Sequence, residues 1–179
     1  LAQSISQHGL LQPLLVRPLP IGGYQIVAGE RRYRACRMAG LTEVPVTIRE
    51  LSDTETMELA LIENLQREDL SPIEEALGYK ALIDEHGFSQ EEVATSVGKS
   101  RPAIANSLRI LKLPDSVLEY VKQDKISAGH ARALLMLDNE KDMLELAELI
   151  YKKDLSVRQA EKLAKKKPEV EEDTQPERK

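Results

Sequence analysis

Residues 88–111 read FSQEEVATSVGKSRPAIANSLRIL, and no other stretch of the chain constrains its fold as tightly. Ser89 to Glu92 forms a capping box, in which two free backbone N–H groups at a helix start are satisfied reciprocally. A helix over 89–97 runs to Gly98, which supplies a sharp turn, and a second capped helix starts from Ser100. Val93, Ala94, Val97, Ile104 and Leu108 form the expected buried seam, and the small Ala94 lets the two helices approach. This is the layout of a helix-turn-helix, whose second helix enters the major groove of DNA. An ordinary helical hairpin with a solvated basic face is the competing reading.

The distribution of charge favours DNA. The 179-residue chain carries a net charge of −5, yet residues 99–112 hold Lys99, Arg101, Arg109 and Lys112 without a single acid. Arg101, Ala103 and Asn106 are expected to face base edges, because Arg pairs bidentately with guanine and Asn with adenine. Lys99, Ser100 and Arg109 are expected to meet phosphates. Aromatic residues make up only 3% of the chain, which argues against a base-stacking platform for single strands.

The rest of the sequence reads as an α+β protein. Leu14–Arg17, Tyr24–Ala28 and Val44–Ile48 are strand-like runs. Arg31–Ala39 and Asp53–Gln66 are helical in pattern, the second with Met57, Leu61 and Leu65 in one stripe. From Ser71 the hydrophobic period is helical throughout, with Ser71-Pro72 opening one helix, a further capping box at Ser156–Gln159, and Gly87, Gly98, Pro114 and Gly129 as punctuation. The expected organisation is a small α/β domain over residues 1–70 and a helix-turn-helix domain over 71–137. A helical extension over 138–167 and a charged linker or tail over 168–179 follow. No run of 18 apolar residues is present, so no membrane span is expected. A lone cysteine, Cys36, excludes a disulfide framework and fits a reduced, cytoplasmic setting. His8, His86 and His130 lack metal-ligand spacing.

The α/β part contains an unusual helix start. Gly29-Glu30-Arg31-Arg32-Tyr33-Arg34 follows a strand and opens a helix, with Arg37 one turn later. Arginines there oppose the positive end of the helix dipole, a cost that an anion would relieve. Phosphate bound by backbone N–H groups and guanidinium forks would do so. A surface arginine face paired with Glu30, Glu63 or Asp69 explains the residues equally well. Glu63 and Asn64 offer adjacent oxygen ligands at a helix C-terminus, which suits Mg²⁺ shared with phosphate. Together these features point to a nucleoside triphosphate, although no GxxxxGK[ST] loop is present.

GERRYRA, ENLQREDLSP and GKSRPAIANSLRIL, in that order, closely resemble the ParB family of chromosome and plasmid partition proteins, and HGLLQPLLVR fits its N-terminal region. The resemblance implies a ParB/sulfiredoxin-like nucleotide-binding domain followed by an all-α helix-turn-helix domain. It implies sequence-specific binding to a centromere-like site, parS, binding of CTP with Mg²⁺, and closure as a sliding DNA clamp reset by slow CTP hydrolysis. By resemblance, Gly29, Glu30, Arg31, Arg32 and Arg34 match the phosphate-binding box, with Glu30 the hydrolysis-linked carboxylate and Arg32 a triphosphate contact. Glu63 and Asn64 match the Mg²⁺ and phosphate pair, and Gln12 and Pro13 the loop near the base. Arg101, Asn106 and Gly129 match the parS-reading positions. His130 either meets a DNA backbone or packs. A ParA-type ATPase, an SMC-type complex and a nucleotide-dependent second copy are the implied partners, and the nucleoid is the implied location. Lys112 resembles the nucleoid-occlusion relatives instead. That relative, or a plain helix-turn-helix regulator without a nucleotide switch, is the alternative.

The family's upstream Pro-x-Gln-Pro-Arg segment and its C-terminal dimerisation domain are not in this sequence. Impaired hydrolysis and loss of permanent pairing are therefore expected of it. A nuclease would need a carboxylate cluster around a metal, and a sulfiredoxin-type reductase would need a thiol at Gly29–Arg32. The sequence offers neither. Cys36 reads as a buried, inert thiol, and Lys165–Lys167 as a solvated helix end.

Overall fold

Leu14 and Val16 alternate inward along β1 (Leu14–Pro18), and this strand forms the centre of a three-stranded sheet. A computed structural model describes residues 1–67 and 69–166, so the expected tail over 168–179 and Lys167 lie outside the described residues. The chain divides into two units, Leu1–Arg67 and Glu68–Lys179.

In the first unit, α1 (Ala2–His8) precedes β1, and β2 (Tyr24–Ala28), α2 (Glu30–Met38), β3 (Val46–Ile48) and α3 (Asp53–Leu65) follow. The sheet order is β2-β1-β3, with β1 antiparallel to β2 and parallel to β3. The expected strand at Val44 starts two residues later. Pro45 has no N–H to give a ladder, its carbonyl instead accepts from the Leu14 N–H at 3.1 Å, and Val44 packs against Ile5, Ala35 and Cys36. Arg17 joins the strands to the start of α3. Its guanidinium donates to Gln25 Oε1 at 2.8 Å, to Leu51 O at 3.2 Å and to Asp53 Oδ1 at 2.6 Å. The Met57 stripe is only partly realised, because Leu65 is buried whereas Met57 is 64% exposed.

The second unit is all helix among the described residues: α4 (Pro72–Asp84), α5 (Gln90–Val97), α6 (Arg101–Ile110), α7 (Asp115–Lys122), α8 (Ala128–Leu134), α9 (Glu140–Lys153) and α10 (Val157–Lys166). Full capping boxes open α4, α5 and α8 at Ser71, Ser89 and Ser127. Gln159 Oε1 accepts from both the Ser156 N–H and Oγ ahead of α10. Tyr79, Leu82, Val93 and Ile104 have no exposed surface. A continuous cluster from Ile110 through Val117, Leu134 and Ile150 to Ala164 holds the later helices together. Each Val, Leu or Ile in it contributes roughly 1.5–3 kcal/mol by leaving water.

Gly129 departs from expectation. It does not break a helix but sits inside α8. A Cβ there would lie 2.8 Å from Val157 Cγ2, so the missing side chain admits the start of α10. Gly129→Ala is expected to be destabilising, since overpacking of about 1–3 kcal/mol outweighs a helix-propensity gain of about 1 kcal/mol. Val157→Ala added to it is expected to restore stability beyond the sum of the single effects, measured by denaturant unfolding.

Candidate nucleotide and DNA sites

The arginine box lies at the β2–α2 junction. Gly29 is the N-cap of α2 with φ 101°, a left-handed conformation that glycine adopts without strain. A Cβ at Gly29 would lie 2.9 Å from Leu14 Cδ2 and 3.1 Å from Arg32 Nη2. The glycine therefore leaves room for the Arg32 guanidinium to cross the end of β1. Arg32 Nη1 donates to the carbonyls of Gln12 and Pro13, at 2.9 and 2.8 Å, so Gln12, Pro13, Gly29 and Arg32 form one assembly. Glu30 pairs with Arg34 at 2.9 Å across one helical turn, and both are exposed. Arg31 and Arg37 are exposed on the same helix. Of the acids expected to balance this face, Glu30 takes that part through Arg34.

Glu63 and Asn64 lie exposed in the last turn of α3. Asn64 Oδ1 accepts from Arg67 at 3.4 Å, close to the limit of a hydrogen bond. Among the described residues, no hydrogen bond joins these two to Gly29–Arg34, and no cluster of three His, Cys, Asp or Glu forms a metal cage. Two oxygen donors at the helix end whose carbonyls favour cations fit a Mg²⁺ that takes its other ligands from phosphate and water. They do not fit a metal held by protein alone.

The helix-turn-helix forms in the second unit. Gly98 closes α5 with φ 70°, left-handed, and Ser100 Oγ caps α6 by accepting from the Ala103 N–H. Val93, Ala94 and Ile104 are buried, whereas Val97 and Leu108 are half-buried. Arg101 and Arg109 are exposed at the two ends of α6, with Ala103 and Asn106 half-buried between them. Ser100, Ala103, Asn106 and Ser107 line an open cleft of about 360 Å³, together with Ala128 and Arg132 of α8. Arg132 was missed by sequence reasoning. Its only signal was a single cation in the small-residue helix AGHARAL.

Three expected DNA contacts carry structural duties. The Ser100 hydroxyl is occupied as a cap, and Gly129 makes room for Val157. At His130, Nδ1 accepts from the Ser127 N–H at 3.2 Å, while its buried Nε2 meets no partner.

Lys99 is likewise drawn into the protein. Its Nζ lies 2.6 Å from Glu75 Oε1 and 5.8 Å from the centre of the Tyr79 ring. Tyr79 Oη donates to the same Glu75 oxygen at 2.6 Å. Burial, then the bond to Glu75, pushes the Tyr79 hydroxyl up to about 12. Burial alone would raise the Glu75 carboxyl, but the bonds from Lys99 and Tyr79 hold it below the ordinary 4.5. Burial would lower Lys99, and the Glu75 bond leaves it above the ordinary 10.5.

The chain belongs by fold to the helix-turn-helix proteins that carry a separate α/β domain ahead of the reading motif. The ParB N-terminal domain family matches residues 1–65 and the ParB HTH domain family matches residues 68–169. The chain is a member of the ParB family. The chromosome-partitioning protein Spo0J of Thermus thermophilus is 61% identical over 163 residues, which cover 91% of this chain and 60% of that protein. The stage 0 sporulation protein J of Bacillus subtilis is 49% identical over 163 residues, covering 91% and 57%. The chain thus spans about three fifths of the length of these curated relatives. The crystal structure of the C-terminally truncated chromosome-partitioning protein ParB from Caulobacter crescentus, complexed to the centromeric parS site, is similar with a TM-score of 0.84. The identity is 47%, covering 92% of this chain and 87% of that one.

The pKa directions give a pH prediction. A depressed carboxyl stabilises the fold above its unfolded pKa and loses that contribution as pH falls through its folded value. A raised lysine stabilises below its unfolded pKa and loses that contribution as pH rises through its folded value. The stability difference between wild type and Glu75→Gln is therefore expected to be largest between roughly pH 5 and 10, and to shrink on either side in pH-dependent unfolding.

Proposed function

We propose that this chain reads a parS-type DNA site and binds CTP with Mg²⁺, as a nucleotide-switched DNA clamp for chromosome or plasmid segregation. The observation that carries the reading is the acid-free face of α6. Arg101, Asn106 and Arg109 stand along a helix capped for entry into a groove, beside a cleft that Arg132 also lines, in a chain of the ParB family. The parS complex of the Caulobacter relative supports the choice of site.

Arg101 and Asn106 supply direct base readout, and Arg109 with Arg132 supplies phosphate charge. In the first unit, the α2 N-terminus and the arginines at 31, 32 and 34 attract a triphosphate. Glu63 and Asn64 would hold the divalent ion, and the Gln12–Pro13 loop would serve the base. When bound, CTP–Mg²⁺ would supply a phosphoanhydride bond whose hydrolysis resets the switch. Glu30, oriented by Arg34, is the carboxylate assigned to slow hydrolysis. Closure pairs two copies of the chain, and a closed ring leaves parS for flanking DNA. A ParA-type ATPase and SMC-type complexes are proposed partners at the nucleoid. Among the described residues no helix is long and apolar enough to cross a membrane.

One observation favours a second reading, a helix-turn-helix regulator without a nucleotide switch. Arg32 is already satisfied by the Gln12 and Pro13 carbonyls, as a scaffold residue would be.

Titration of a parS duplex and a scrambled duplex over a range of salt tests the DNA reading. With roughly 4–6 phosphates neutralised per protomer, the log–log salt slope is expected to be about −4 to −5. Arg101→Ala is expected to remove about 1–3 kcal/mol of discrimination while leaving scrambled binding nearly unchanged. A near-flat slope with no preference for parS would contradict the reading.

A further inference from the structure

Glu75 is an acid on α4, yet it reaches the DNA-reading motif. Its carboxylate gathers two donors: the Tyr79 hydroxyl from its own helix and Lys99 Nζ from the turn before α6. Lys99 precedes Arg101 by two residues. The cation that Glu75 holds therefore stands at the entry to the helix that carries the two side chains assigned to base readout. Tyr79 has no exposed surface, so the far side of this brace is fixed in the core of the unit.

We propose that Glu75 is a positioning residue for DNA reading: by gripping Lys99 it fixes the start of α6, and with it the alignment of Arg101 and Asn106 on base edges. The inference rests on the DNA-binding reading above. Bidentate base pairing is directional and tolerates little displacement. Phosphate attraction is long-ranged and tolerates more. Loosening the brace should therefore harm readout of a specific site far more than general attraction to DNA. Plain electrostatics predicts the opposite sign, because removing an acid beside a DNA-facing helix raises affinity for every duplex. The two accounts are separable by one substitution.

The test measures binding of the full chain to a parS duplex and to a scrambled duplex of equal length, by fluorescence anisotropy at fixed salt. Glu75→Gln keeps the shape and removes the charge. The expected result is parS binding about tenfold weaker, scrambled binding changed less than twofold, and a correspondingly reduced ratio. Tyr79→Phe keeps the buried ring and removes only the hydroxyl, and a smaller loss of about threefold in the same ratio is expected. Glu75→Asp, which retains the charge, is expected to recover part of it. Tighter binding of both duplexes would overturn the proposal and mark Glu75 as a repulsive charge. A parallel loss on both duplexes, with a lowered melting temperature, would also overturn it and leave the cluster a purely structural one. A wild-type chain without preference for parS would overturn the DNA reading and this inference together.

Discussion

Tyr79 is fully enclosed, so its hydroxyl needs a partner inside the protein. A buried polar group left unpaired costs about 1–3 kcal/mol, and Glu75 meets that need. The carboxylate so placed is itself half-buried and needs a cation, which Lys99 supplies. The cation comes from the turn between the two helices of the reading motif. One apolar ring in the core of the second unit thereby sets the start of α6 through two polar links. The left-handed Gly98 and the Ser100 cap then fix the direction in which α6 leaves the turn. Arg101 and Asn106 inherit their placement from that sequence of constraints.

The first unit shows a comparable economy at Arg32. Arginines at a helix start oppose the dipole, and Arg32 is turned away from the axis to satisfy two carbonyls of the Gln12–Pro13 loop. That choice is possible because Gly29 has no side chain to block it. Arg34 is offset by Glu30. Arg31 stays exposed at the N-terminus of α2, where an anion would be most favourable. The unit thus holds a locally built arginine cluster, with Glu63 and Asn64 presented separately at the end of α3. In the proposed function, a ligand with several phosphates and a divalent ion uses both.

Much of this was legible in the residues. The helix starts were readable because Ser–x–x–Glu boxes work locally, and the structure forms them at Ser71 and Ser89. Tyr24–Ala28 was readable from apolar residues bounded by glycines and a helix start. The misplaced features all depend on partners distant in sequence. Lys99 looks like a free cation until Glu75, 24 residues away, is brought to it. Gly129 looks like punctuation until Val157 is packed against it. Met57 fits a buried stripe by period, yet it is exposed, while Leu65 two turns on is buried. Arg132 gave no local signal of the cleft it shares with Asn106. Local rules carry caps and turns, whereas pairing and close approach are decided by tertiary contacts.

The central claim is that a nucleotide site and a DNA site in one chain form a switch. Two sites that share a conformational equilibrium must affect each other's affinity by the same factor. The most direct measurement is nucleotide binding to this chain with Mg²⁺, comparing CTP, ATP, GTP and UTP, with and without a parS duplex, for wild type and Arg32→Ala. The account predicts CTP-selective binding that strengthens when parS is present and is lost in the variant. Tight parS binding with no response to any nucleotide would contradict it and leave the first unit a scaffold for a plain DNA-binding protein.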